Sequence, residues 1–323
     1  MTYLQAWTRT LWHHRGGVSA AVFIAATAIV APGASPVYAQ DAPRGAAVLA
    51  EARSALGGEQ RLAGVRALQI TGTFRRVVGD NDTEGDFEVF IELPDNYLRS
   101  EKTGTPGQPS TEVIEALIGG EVRDVVQGGG GGRGGGVNFG ADGFPPSDIG
   151  DDPDAQRRSR EADVSRLLLM WLLESDTPLA WIGIAESPDR TADVLQARYA
   201  DGQPTRLFVD SSTHMPLMMQ WEAASAPALG RGGRGGQRGG GGGGGGGRRG
   251  GGQGNGPPDG AGARQGGPPP VVTFDMTFFD HREVDGIRLP YVITRGADGQ
   301  TTERWTISRY RVNPSLSAET FAR

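Results

Sequence analysis

Residues 87–100 read FEVFIELPDNYLRS, and this stretch decides the fold. Phe87, Val89, Ile91 and Leu93 alternate with Glu88, Phe90 and Glu92, the period of two that marks a strand with one buried face. Pro94-Asp95-Asn96 supplies a turn, and residues 97–103 return as a second strand. Upstream, Leu68, Ile70 and Phe74 alternate with Gln69, Thr71 and Thr73. Downstream, residues 111–118 and 121–126 form another pair joined at Gly119-Gly120, a favourable hairpin dipeptide. Strands joined by such short connections run antiparallel.

The second half repeats this grammar. Strands are expected at 181–185, 193–199, 206–210 and 217–222, with turns at Asp201-Gly202 and through Ser211 to Pro216. Val272, Phe274, Met276 and Phe278 alternate, and so do Ile287, Leu289, Tyr291 and Ile293 after the Asp285-Gly286 turn. A turn at Asp298-Gly299 leads to a last strand at 302–312. Two segments carry the helical period instead. Residues 46–56 place Val48, Leu49, Ala52 and Leu56 on one stripe ahead of Gly57-Gly58. Residues 155–173 are polar at first and apolar around Val164, Leu167, Leu168, Trp171 and Leu172. The expected class is α+β, mainly β: a curved antiparallel sheet, an incomplete β-barrel of about ten strands, with helices covering the concave face.

The ends and the composition add a compartment. Residues 1–39 hold a basic start with Arg9, His13, His14 and Arg15, an apolar run at 18–30, and small residues closing at Val37-Tyr38-Ala39. That run is shorter than the roughly 20 residues of a membrane span, so the segment reads as a signal peptide cleaved before Gln40. The chain has no Cys, which excludes a lipid-anchored cleavage site, disulfides, thiolate metal sites and thiol nucleophiles. The expected product is therefore exported, periplasmic and not acyl-anchored. Its formal charge of −6 becomes −8 once Arg9 and Arg15 leave with the signal, a poor match to nucleic acid or anionic lipid.

The mature domain is expected as one unit in two parts, 40–225 and 271–323. They are separated by a Gly/Arg/Pro-rich insert at 226–270 with no capacity to bury a core, and a Gly-rich loop spans 128–136. Within the insert Arg231, Arg234, Arg238, Arg248, Arg249 and Arg264 oppose Asp259, a net +5. Arg-Gly-Gly repeats can bind RNA, but this one has no aromatic residue to stack on bases and follows an export signal. A tolerated surface expansion is the simpler account, with an arm toward anionic envelope surfaces as the alternative.

Several of these segments together resemble a family. The helix ending in Ala55-Leu56-Gly57-Gly58, the strand from Leu68 to Phe74, and Leu93-Pro94-Asp95-Asn96-Tyr97-Leu98-Arg99 are similar to the first half of LolA/LolB-like outer-membrane lipoprotein carriers, the lipoprotein-sorting superfamily. Leu207-Phe208-Val209-Asp210, Met215-Pro216, Val284 to Pro290, and Val312-Asn313-Pro314 are similar to the second half. The resemblance implies a half-barrel whose helix-covered concave face encloses an apolar cavity for lipoprotein acyl chains. No ligand-capture residue of the carriers matches a position here, so only the cavity is carried over.

The inward alternating positions Ile70, Phe74, Val89, Ile91, Phe274, Met276 and Phe278, with Trp171 and Leu172 as a lid, are the candidate cavity lining. Alternation alone predicts a filled core equally well. No catalytic centre emerges. His214 and His281 are the histidines outside the signal, and His281 with Glu283 beside the Asp285-Gly286 turn is the one foothold for hydrolysis. There is no HExxH or GxSxG motif, and Lys102, the sole lysine, does not follow Gly as a phosphate loop requires. The glycine tracts match GxGxxG trivially, without a βαβ unit. Asn81-Asp82-Thr83 fits a glycosylation sequon but reads as a hairpin turn. The expectation is a non-enzymatic binding or carrier protein, without metal or cofactor, for an acyl chain, lipoprotein or other apolar ligand. The alternative is an envelope sensor or scaffold that contacts a protein partner.

Overall fold

The computed structural model describes residues 42–78, 81–104, 110–128, 152–175, 177–224 and 271–322. The expected signal peptide and its cleavage point, the glycine-rich loop beyond Gly128, and the 226–270 insert lie outside the described residues. The elements run α1 (Ala42–Leu56), α2 (Glu59–Leu62), β1 (Ala67–Val78), β2 (Asn81–Glu92), β3 (Asn96–Thr103), β4 (Thr111–Ile118), β5 (Glu121–Gly128), α3 (Pro153–Leu172), β6 (Ala180–Glu186), β7 (Thr191–Arg198), β8 (Pro204–Asp210), β9 (Pro216–Ala224), β10 (Val271–Val284), β11 (Ile287–Ala297) and β12 (Gln300–Val312).

The strands form one antiparallel sheet of twelve, against about ten expected, in the order β5-β4-β3-β2-β1-β12-β11-β10-β9-β8-β7-β6. Each strand pairs with its sequence neighbour except at two places. β1 meets β12 in the middle of the sheet, joining the two halves of the chain. β5 and β6 are the outer strands and do not pair with each other, so the sheet is unclosed. Each strand falls on a segment read above as a strand, and several are longer than expected: β2 begins at Asn81, six residues before the apolar alternation starts, with Asn81 opposite Val78 in the ladder.

Side-chain parity builds one main core. Leu68, Ile70 and Phe74 of β1, Val89 and Ile91 of β2, Tyr97 of β3, Met276 and Phe278 of β10, and Ile293 and Trp305 of β11 and β12 join α1 and α3 in a single cluster. A smaller cluster occupies the opposite face, where Phe321 of the C-terminal tail packs on Phe90, Leu98, Ile114 and Ala116. Two glycines let aromatics lie flat across β1 and β2. Gly72 stands opposite Phe87 and Gly85 opposite Phe74 in the same ladder. A Cβ on Gly72 would sit 2.5 Å from the Thr306 carbonyl oxygen and 2.9 Å from Phe87 Cε1, and one on Gly85 would sit 2.9 Å from Phe74 Cε1. The absent side chains make room for Phe87 to meet Trp305 with ring centroids 4.9 Å apart.

The helices fold over this face for local reasons. In α1, Gly45, Val48, Ala52 and Leu56 form the buried stripe, and Gly45 allows contact with the β6 end, where a Cβ would lie 2.3 Å from the Leu179 carbonyl oxygen. In α3, the Asp152 side chain accepts from the Asp154 N–H at 3.0 Å and Pro153 occupies the first turn, a well-formed N-terminus. Its last turn, from Leu167 to Leu172, is buried throughout, and Leu173 turns the chain away with φ 51°. Arg53 of α1 donates to the Leu173 carbonyl at 2.8 and 3.2 Å, tying the end of α3 to α1.

Candidate functional site

The helix-covered face has an apolar part and a charged part. All nine expected lining residues fall in the one core cluster. Ile70, Val89 and Trp171 are fully buried, and Phe274, the most exposed of the nine, shows 6% of its surface. The structure therefore brings the strand residues and the two α3 residues together, with Trp171 and Leu172 laid onto the strand side chains.

The charged part went unread in the sequence. Arg295, Glu303 and Arg76 are cross-strand neighbours on β11, β12 and β1. Glu303 pairs with Arg295 at 3.2 Å, with Arg76 at 2.9 Å and with Arg99 at 3.4 Å, and accepts from the Trp305 indole N–H at 2.7 Å. Arg76 continues to Glu101 at 2.8 Å, and Glu101 also pairs with Arg99. Arg99 stands opposite Glu115 in the β3–β4 ladder. Glu115 pairs with Arg160 of α3 at 3.2 Å, and Arg160 reaches Asp124 of β5 at 3.0 Å. The result is a ladder of alternating sign, from Arg295 through Glu303, Arg76, Glu101, Arg99, Glu115 and Arg160 to Asp124. Its charges cancel, and all but Asp124 are buried. Cancellation is what allows seven buried ionic groups to be tolerated.

Trp305 sits among these charges, with the Arg99 and Arg295 guanidiniums 4.5 and 4.9 Å from its ring centroid. Burial opposes ionisation of Glu303, yet the Arg295, Arg99 and Arg76 charges outweigh it and hold this carboxyl below the usual range. At Glu115 the balance reverses. Burial dominates and pushes the carboxyl up to about 7, although Arg160 and Arg99 pull it down. Both Arg160 and Glu115 have raised affinity for protons; since arginine does not give up its proton, the carboxylate is the weaker member of the pair. The Tyr97 hydroxyl is pushed up by burial as well and makes no hydrogen bond among the described residues.

A second set of contacts holds the middle of α3. Arg166, buried, donates to Thr205 Oγ1 at 3.1 Å, pairs with Asp163 at 3.0 Å and reaches Asp201 in the β7–β8 turn. Its guanidinium also lies 5.1 Å from the Trp221 ring centroid. No backbone hydrogen bond joins α3 to the sheet among the described residues. The helix is thus seated by apolar side chains between two arginine anchors, one toward β4 and β5 and one toward the β7–β8 turn.

The histidines stand elsewhere. His214 pairs with Glu51 of α1 at 3.4 Å. His281 lies on β10 opposite Pro290, while Glu283 of the same strand stands opposite Arg288. Among the described residues, no cluster of three or more His, Asp or Glu side chains could hold a metal ion, and no helix is long and apolar enough to cross a membrane.

The sequence matches no family model and no curated protein. Solved structures do resemble the chain. A LolA superfamily protein from Nitrosomonas europaea aligns over 84% of this chain and 97% of its own at 10% identity, with a TM-score of 0.41. An outer membrane lipoprotein-sorting protein domain from Vibrio parahaemolyticus aligns over 87% and 97% at 8% identity, with a TM-score of 0.42. MucB in the Pseudomonas aeruginosa MucA/MucB complex aligns over 87% of this chain and 60% of its own at 14% identity, with a TM-score of 0.23. The similar structures thus include a protein of the superfamily that the sequence resembles. Overlap this distant transfers no ligand and no partner.

Proposed function

We propose that this chain is a non-enzymatic binding protein of the bacterial envelope that holds an apolar ligand, an acyl chain in the first instance, against the concave face, with α3 as its lid. One observation carries the reading. A continuous apolar floor crosses both halves of the sheet, and what covers it is a helix seated by side chains alone. A ligand chain that takes the place of Leu167, Leu168, Trp171 and Leu172 recovers their burial. At about 0.8 kcal/mol for each buried CH₂, ten methylenes supply about 8 kcal/mol before ordering costs.

The test is native mass spectrometry of protein purified from an envelope fraction, with titration of 11-(dansylamino)undecanoic acid read by energy transfer from tryptophan. Copurified lipid and saturable probe binding are expected. Protein that is empty and indifferent to the probe would end this reading. The alternative, a scaffold that contacts a protein partner, draws on the outer strands: Val126 of β5 and Ile184 of β6 are 56% and 52% exposed at the unpaired margins of the sheet. Partner pull-down that collapses on deleting residues 230–267, without copurified lipid, would favour it.

A further inference from the structure

Away from the charge ladder, the β6–β7 turn, the β8–β9 turn and strands β10 and β11 meet around an open cleft of about 380 Å³. This lies within the size range of small-molecule sites. Its apolar wall is formed by Met215, Leu217 and Phe279, and its polar groups include Arg190, His281 and Arg288. The cations are differently committed. Arg190 approaches the buried Asp210 at 3.9 Å, so its charge is partly answered within the protein. Arg288 makes no ion pair or hydrogen bond among the described residues, even with its cross-strand neighbour Glu283. Asp280, the one carboxylate in the wall, has φ 54° and is occupied by Arg282, at 2.5 and 3.1 Å.

His281 completes the set. Burial lowers its pKa to about 4, against the Asp280 carboxylate, which raises it, and with a smaller lowering from Arg288, so the imidazole is neutral near pH 7 and contributes no second charge. It has no hydrogen-bond partner among the described residues, which leaves a ring N–H to donate. One unanswered guanidinium beside one neutral donor suits one negative charge shared over two oxygens, while the Phe279 and Leu217 side suits an apolar body.

We infer that this cleft binds a small amphipathic carboxylate, with the carboxylate on Arg288 and His281 and the apolar body against Phe279, Leu217 and Met215. Phe278 and Met215 lie between this cleft and the concave-face core, but the assignment does not require that face to carry a ligand. A dianion is disfavoured because Arg190 is already partly paired. A neutral isostere would leave Arg288 unanswered.

Isothermal titration of the full mature chain at pH 7 with 4-phenylbutyrate, 4-phenylbutanamide and 4-phenylbutylphosphonate tests the assignment. The carboxylate should bind one to one and about tenfold or more tighter than the amide, the difference a charge-assisted hydrogen bond makes. Arg288→Gln should abolish that preference. Since Arg288 is exposed, this variant should melt at the wild-type temperature, so its effect reads binding and not folding. Phe279→Ala should weaken the acid and the amide alike. Equal binding of acid and amide, an acid preference unchanged in Arg288→Gln, a phosphonate bound more than tenfold tighter than the carboxylate, or no saturable binding up to about 10 mM would each overturn the inference.

Discussion

Replacing Glu303 by Gln tests the charge ladder at its most connected point. The Glu303 carboxylate, 2% exposed, is shared by Arg76, Arg99 and Arg295 and also accepts from Trp305. Gln has the same shape, and its one oxygen can keep the Trp305 bond or an arginine contact. Its NH₂ must face a guanidinium, donor against donor. Arg76 and Arg99 then share Glu101, and Arg295 loses its ion pair with Glu303. Removing one member of a buried charge network costs about 3–5 kcal/mol, since the charges left behind stay buried with less to balance them. In a domain of about 150–250 residues each kcal/mol moves Tm by about 2–4 °C, so a loss of about 6–20 °C is expected. Urea denaturation followed by tryptophan fluorescence measures the free energy directly, and Trp305 reports on the altered site. The sign with pH is fixed too. The Glu303 pKa is depressed in the folded state, so its contribution is present above the unfolded carboxylate pKa and disappears as pH falls through the folded value. Wild type and variant should therefore converge in acid. Adding Arg295→Met to the variant should recover part of the loss. A cost below about 1 kcal/mol at pH 7 would show that the ladder behaves as a solvated surface network, and the argument from burial would fail.

Glu115→Gln addresses the weak carboxylate that faces Arg160, Arg99, Glu101 and Asp124: its folded pKa, raised to about 7, means the folded state takes up a proton between there and the unfolded value near 4.5. Wild-type stability relative to the variant should rise by up to about 3 kcal/mol between pH 8 and pH 5 in urea melts, and parallel curves would refute this. Gly72→Ala places a Cβ 2.5 Å from the Thr306 oxygen and 2.9 Å from Ile307 Cα, both backbone, so β1 and β12 must part. Thermal melting should show a loss of about 1–3 kcal/mol, and an unchanged Tm would contradict the register. Trp171→Ala removes a fully buried side chain where α3 meets the strands, at about 3–5 kcal/mol. Adding 11-(dansylamino)undecanoic acid should restore more Tm to this variant than it adds to the wild type. Equal increments would count against a ligand site beneath α3.

The apolar half of the concave face was legible because period-two alternation marks a buried face directly. Ile70 and Phe74, Val89 and Ile91, and Phe274 to Phe278 all read correctly as one side of the sheet, and α3 was visible from its apolar end. The charged half was hidden by the same rule. Arg76 follows Phe74 in phase, and Arg99 and Glu101 follow Tyr97, so these residues are as inward as their apolar neighbours. A charge at an inward position weakens the alternation that would announce it. Counting parity from Phe74 or Tyr97 onward would have placed each on the covered face. It would not have shown that Arg295 and Glu303, on strands in the second half of the chain, supply the partners. That depends on β1 closing against β12, a pairing that local pattern does not encode.

The two parts of the face have separable roles, because burial energy and ionic pairing respond to different things. The apolar floor rewards any apolar cover, helix or ligand, and does not distinguish well between them. The ladder is specific to one seating of α3, since only there does Arg160 reach both Glu115 and Asp124. If α3 lifts as the proposed lid, Arg160 departs and water reaches Glu115, whose carboxyl then returns toward its ordinary value and sheds a proton. Seating takes the proton back. On that proposal closure would be linked to proton uptake, with acid favouring the seated helix and alkali the lifted one. Opening that responds to pH should therefore begin at the N-terminal half of α3, while the Leu167–Leu172 turn remains on the apolar floor.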